Sequence, residues 1–219
     1  MEDFIVAKYR QHNLLAAIEE PLRELRTNIL SMGKTCSSIL FTSTKTGEGK
    51  STLSLLLAIS LCHCGKKVIW IDSDFHKKNS SISFYKKESK DTVIQNFGGI
   101  ADYLSGSRAL EECIYKMEEE ELDIIPRGNA EKMSSDLLAN KSFPELLETL
   151  KKSYDYIILD CSAAGEYVDS KIVTSMCDGT VYVIGFNKIR RGRMQQTIEQ
   201  LKKCKGNIIG AVLNKTRAL

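Results

Sequence analysis

The stretch that decides the fold is TSTKTGEGKST, residues 42–52. It follows an apolar, β-branched run, SSILFT (37–42), and leads into a helix-period segment, so Gly47, Gly49, Lys50 and Ser51 fall on a turn between a strand and a helix. Glycines at such a turn let backbone N–H groups close on phosphate oxygens, and the first turn of the helix adds a favourable dipole. Thr46, Gly47, Glu48, Gly49, Lys50, Ser51 and Thr52 are therefore candidate nucleotide-binding residues. Lys50 is expected to reach the β- and γ-phosphates, and the Ser51 hydroxyl to ligate Mg²⁺. Thr44 stands where such loops usually open on a glycine, and Lys45 lies just inside.

Working outward, five more apolar runs recur: KVIWID (67–72), LDIIP (122–126), DYIILD (155–160), TVYVIG (180–185) and NIIGAVL (207–213). They lack polar alternation, as parallel strands covered on both faces do. Helix-period segments lie between them, at 51–64, a pair within 100–117, and at 142–153, 168–177 and 192–204. This alternation predicts an α/β fold of P-loop NTPase type, with a doubly wound, mostly parallel sheet and helices on both faces. Ligands of such sheets bind beyond the carboxyl ends of the strands.

Two acids, Asp72 and Asp74, end the second run, and Asp160 ends the fourth, all on the rim that carries the glycine loop. Alternation along the strand puts Asp72 and Asp74 on one side. Asp72 and Asp74 suit a hydrated Mg²⁺ and proton abstraction from a hydroxyl, and Asp160 would hold the metal through water or orient the attacking group. Lys77 and Lys78 follow closely enough to contact nucleotide or substrate. Asn214, ending the last strand, is a candidate for hydrogen bonding to adenine or for capping a turn.

Composition limits the alternatives. The chain has 219 residues, 31 Lys and Arg against 28 Asp and Glu, and a net charge of +3, so no concentrated basic field nominates a nucleic acid. The longest apolar run, SLLLAISLC (54–62), is well short of the roughly 20 residues that span a bilayer, and the first 13 residues carry no signal-peptide pattern. A cytoplasmic location is expected. Seven cysteines without framework spacing read as reduced thiols, and CHC (62–64) as the end of a buried helix.

The segments 42–52, VIWIDSDFHKKN (68–79) and YDYIILDCSAAGEYVDS (154–170) together resemble the Walker A, A′ and B motifs of the bacterial tyrosine kinases of capsule and exopolysaccharide systems, the BY-kinases. GGIADYLSGS (98–107), the stretch 124–140 and IIGAVLN (208–214) extend the likeness over nearly the whole chain. EEPLRELRTNI (19–29) matches the family's Glu-x-x-Arg-x-x-Arg motif at Glu20, Arg23 and Arg26, which in the family joins subunits into a ring.

The resemblance implies one kinase domain over 1–219, with an N-terminal helical oligomerisation segment (1–33) and a nucleotide-binding core (34–219). It implies ATP and Mg²⁺ as cofactors, with Mg²⁺ held by Ser51, Asp72 and Asp160, and transfer of phosphate to protein tyrosine in trans, with Lys50, Asp72, Asp74 and Asp160 as catalytic residues. It also implies a membrane-anchored activator that engages the kinase through a cytoplasmic segment at the inner face of the plasma membrane, and control of polysaccharide synthesis and export. The chain departs from the family in CSAAG (161–165), where the family has Thr-Pro-Pro, and in having no tyrosine after Tyr182. Lys45 and the basic run KIRRGR (188–193) resemble instead the related ParA/MinD-type ATPases, a dimerising switch. An ATP-binding pseudokinase that scaffolds its membrane partner is a third reading.

Overall fold

The computed structural model of the protein describes residues 4–7, 12–77, 83–86, 89–93, 97–117, 120–128 and 134–216. Its main sheet has seven strands: β2 (Ser38–Ser43), β3 (Val68–Ser73), β6 (Tyr115–Met117), β7 (Leu122–Ile125), β8 (Tyr156–Cys161), β9 (Gly179–Gly185) and β10 (Ile208–Asn214). Their spatial order is β10-β9-β2-β8-β3-β7-β6, and every pairing is parallel except β6 with β7. The six expected strands are all present; β6 is an added antiparallel edge.

Alternate side chains of the central strands enter different cores, as the two-residue period requires. Ile39, Phe41, Trp70 and Ile158 pack with Leu53, Leu57 and Leu61 of α2 (Lys50–Cys62) and with Leu22, Leu25 and Ile29 of α1 (His12–Ser31). Leu40, Ile69, Ile71, Ile157 and Leu159 pack on the other face, against α3 (Ile100–Leu104), α4 (Ser134–Ala139), α5 (Ser142–Lys151) and α6 (Asp169–Val173). All six residues of β2, β3 and β8 are buried, which is why these runs carry no polar alternation. The last helix, α7 (Arg191–Lys203), lies between β9 and β10 in the chain.

Three expectations are corrected. β10 pairs only with β9 and is half-exposed, with Leu213 55% exposed, so its apolar run marks an edge rather than a strand covered on both faces. The segment 100–117 holds one short helix, a 3-10 turn at Leu110–Glu112 and then β6. A second, antiparallel sheet joins β1 (Phe4–Ala7), β4 (Ser83–Lys86) and β5 (Ser89–Val93), so the N-terminal segment contributes a strand before its helix. Among the described residues no helix is long and apolar enough to cross a membrane.

Candidate nucleotide and phosphotransfer site

The glycine loop joins β2 to α2 at the carboxyl rim of the sheet. Gly49, the residue before α2, has φ 101°, and a Cβ there would come within 2.0 Å of Asn214 Nδ2. Only glycine meets both demands. No side chain caps α2, so the amides of its first turn are open to an anion. Thr44 takes the place of the expected first glycine without adopting positive φ; it is 1% exposed, and its hydroxyl lies 2.6 Å from the Tyr182 hydroxyl.

Two residues expected at the nucleotide turn out to brace the loop. The buried Glu48 carboxylate accepts hydrogen bonds from the amides of Lys45 (2.7 Å) and Gly185 (2.8 Å), tying the loop to the end of β9. Asn214 Nδ2 donates to the Glu48 carbonyl at 2.8 Å, and its Oδ1 accepts from the Lys215 amide at 2.8 Å. Asn214 therefore serves the turn-capping role, with one N–H and one lone pair left over. Lys215, which the sequence did not single out, donates to the Gly47 carbonyl at 2.6 Å.

The acids converge as expected. Asp72 and Asp160 are register partners on β3 and β8, and Asp72, Asp74 and Asp160 are at most 3% exposed. The Asp74 amide donates to Asp72 Oδ1 (3.2 Å), the His76 amide to Asp74 Oδ1 (3.2 Å), and Ser73 Oγ to the Asp160 carbonyl (2.8 Å), which fixes the strand end. Lys77 Nζ lies 3.3 Å from Asp72 Oδ1 and pairs closely with Asp160 Oδ2. Arg127, beyond the end of β7, donates to the Lys77 carbonyl. Lys78 lies outside the described residues.

Burial pushes the Asp72 carboxyl up to about 6; Lys77 opposes that rise, while Asp160 and Asp74 add to it. Burial and Asp160 also raise Asp74, against the pull of Lys77 and Lys50. For Lys77, burial disfavours the ammonium, but Asp160 and Asp72 outweigh it and hold the group above the usual lysine value.

Asp72 Oδ2 and Asp160 Oδ1 are buried and have no hydrogen-bond partner. That all-oxygen pair fits a hard divalent cation. Among the described residues no three His, Cys, Asp or Glu side chains cage a metal by themselves, which suits Mg²⁺: it takes one or two carboxylates and keeps waters and phosphate oxygens for the rest.

Beyond β8, Glu166 accepts a hydrogen bond from the Thr46 amide at 2.9 Å. Its modest burial works against ionisation, but Thr46, Lys45 and Arg193 outweigh it and hold the carboxyl below its usual range. His76 stacks on Tyr167, with ring centroids 3.7 Å apart and 9° between planes. His76 Nε2 is 2.9 Å from Asp169 Oδ2, an ion-pair distance without hydrogen-bond alignment, and Ser135 Oγ donates to Asp169 Oδ1 at 2.6 Å. Gly165 packs on the loop, where a Cβ would meet the Thr44 carbonyl at 2.2 Å. These contacts bring the CSAAG segment against the phosphate loop, and nothing local in the sequence signals them.

The remaining expected features are the N-terminal motif, the basic run and the cysteines. Glu20 and Arg23 are exposed and 3.4 Å apart on α1, whereas Arg26 turns inward and donates to Ser60 Oγ of α2 at 2.9 Å. The basic run 188–193 is largely exposed at the start of α7. All seven cysteines are free, and His63 of the CHC stretch pairs with Glu120 at 3.0 Å.

A family profile described as "AAA domain" matches residues 36–208. Tyrosine-protein kinase CpsD of Streptococcus agalactiae is 34% identical over 197 residues, covering 90% of this chain and 83% of the relative. Tyrosine-protein kinase YwqD of Bacillus subtilis is 30% identical over 212 residues, covering 93% and 86%. The kinase domain of the Escherichia coli tyrosine kinase ETK shares the fold at a TM-score of 0.83 and 24% identity, covering 97% of this chain and 83% of that one. Glycine loop, paired rim acids and relatives of this length and identity agree: the chain belongs to the bacterial tyrosine-kinase family of P-loop ATPases.

Proposed function

We propose that the protein is an ATP-dependent protein-tyrosine kinase, one domain over 1–219, that acts in trans between copies of itself in a ring. The observation that carries this reading is the meeting of three buried carboxylates, Asp72, Asp74 and Asp160, with a phosphate loop whose helix-start amides are open. A nucleotide-binding scaffold needs the loop alone. Three acids at its rim provide both for a metal and for a base.

In this reading residues 46–52 hold the ATP phosphates, Lys50 placing its charge on the β- and γ-phosphates. Asp72 and Asp160, with Ser51, hold Mg²⁺, which when bound neutralises phosphate charge. Asp74, raised above its usual range by burial and by Asp160, takes the proton of the incoming tyrosine hydroxyl. The tyrosine oxygen bonds to the γ-phosphorus, the bond from that phosphorus to the β,γ-bridging oxygen breaks, and its electron pair leaves with ADP. Asn214, expected at adenine, keeps one N–H for that contact beside its structural role.

The ring uses the N-terminal segment (1–33), with Glu20 and Arg23 outward. Arg26 serves it indirectly, by docking α1 on α2. A membrane-anchored activator, engaging through its cytoplasmic segment, would place the kinase at the inner face of the plasma membrane to control capsular or exopolysaccharide synthesis and export; the family resemblance supports this part. To test the reading, wild-type protein is mixed with Lys50→Met protein and ATP in the presence of an activator-derived peptide. Phosphotyrosine on the Lys50→Met chain is the expected result, and its absence from both chains would refute the proposal.

A further inference from the structure

Asp72 and Asp160 face each other across paired strands with almost no access to water, so two ionised carboxylates there repel strongly. In the structure Lys77 answers that repulsion. Its side chain, 14% exposed, reaches both acids, and among the described residues no other cation pairs with either. Yet one ammonium engages only one oxygen of each carboxylate, leaving Asp72 Oδ2 and Asp160 Oδ1 without a donor. A divalent cation that carries its own waters satisfies more of these oxygens, and bound to the same two carboxylates it would be repelled at short range by the Lys77 ammonium.

The backbone at Lys77 is held separately, through Arg127 to its carbonyl and through its own amide to the Asp74 carbonyl at 3.4 Å. The four-carbon stem can therefore swing while the turn stays in place. This inference rests on the reading of Asp72 and Asp160 as the metal-holding pair. We propose that Lys77 is an internal counter-ion that occupies the Mg²⁺ position in the metal-free protein and must leave when the metal enters. Lys77 then weakens Mg²⁺ binding to the free protein, and the metal enters together with the nucleotide, whose phosphates supply the missing ligands.

The test is thermal unfolding of the full chain titrated with Mg²⁺ in the absence of nucleotide, starting from a chelated baseline. Wild-type protein should be indifferent to the chelator. Lys77→Met should unfold at lower temperature in chelator, recover with Mg²⁺, and reach half-maximal stabilisation at a Mg²⁺ concentration about tenfold lower than wild type, an ordinary coupling between competing ligands. Arg127→Ala, which keeps the charge but frees the turn, should shift the midpoint the same way by less, and serves if Lys77→Met does not fold. Equal midpoints for wild type and both variants would overturn the proposal.

Asp160→Asn distinguishes the role of Lys77 from the position of the metal. Loss of the Mg²⁺ response in Asp160→Asn, with Lys77→Met matching wild type, defeats the role of Lys77 alone. A wild-type response in Asp160→Asn places the metal elsewhere and defeats both.

Discussion

The two halves of the candidate site are held by different physics. On the phosphate side, the loop is backbone shaped by glycine and pinned by Glu48, Asn214 and Lys215, whose polar groups are matched with loop partners. On the acid side, three carboxylates are buried faster than they are paired, and one lysine carries the charge balance. The first half depends on shape and is set before any ligand arrives. The second depends on charge and changes with what occupies it.

Asp178, away from this rim, shows what a satisfied carboxylate looks like. It accepts from the Ser37 and Ser38 amides and pairs with Lys151 at 2.9 Å. Against the effect of its burial, those partners hold it down to about 2, whereas Asp72 is pushed up to about 6.

The contrast predicts how each half fails. Asp74→Asn should lower phosphotransfer by about 10²- to 10⁴-fold while nucleotide affinity, measured by calorimetry, stays near wild type. A matching loss of affinity would show that the acid side also shapes the phosphate side. Gly49→Ala should do the reverse. A positive-φ strain of about 1–3 kcal/mol, added to the contact with Asn214, should weaken nucleotide binding by roughly tenfold to a hundredfold.

Asp178→Asn tests the satisfied carboxylate through stability. Its folded pKa is depressed, so its contribution is present above the unfolded value near 3.8 and is lost as pH falls through about 2. The variant should therefore melt about 3 °C lower than wild type at pH 7, and the gap should close toward pH 2. The smallest effect is expected on α1. Arg23 and Glu20 are 56% and 79% exposed, and such surface pairs contribute about 0–1 kcal/mol, so Arg23→Ala should leave the monomer's melting unchanged. A shift in sedimentation toward smaller species would then report the ring alone.

Much of this was legible in the chain. The loop announces itself through Gly47, Gly49 and Lys50 between a strand and a helix, even with Thr44 in place of a glycine, because those three residues carry the geometry and the charge. The rim acids are legible for the same reason: Asp72 and Asp160 end runs whose burial shows in their composition. The braces are not, because Glu48 meets Gly185 and Glu166 meets Thr46 only after strands distant in sequence become neighbours. β5 escapes notice because SKDTV has no apolar run, and β6 because three residues hold no period. For Glu48 and Asn214 the motif indicates the position, whereas their hydrogen bonds to Gly185 and to the Glu48 carbonyl appear only in the tertiary fold.

The most direct test of the central claim follows γ-labelled ATP into both protein and free phosphate, for wild type and Lys50→Met, with an activator-derived cytoplasmic peptide present. A tyrosine kinase gives label on tyrosine that vanishes in the variant, and this is the expected result. Free phosphate with no labelled protein would contradict it and make the molecule an ATPase switch.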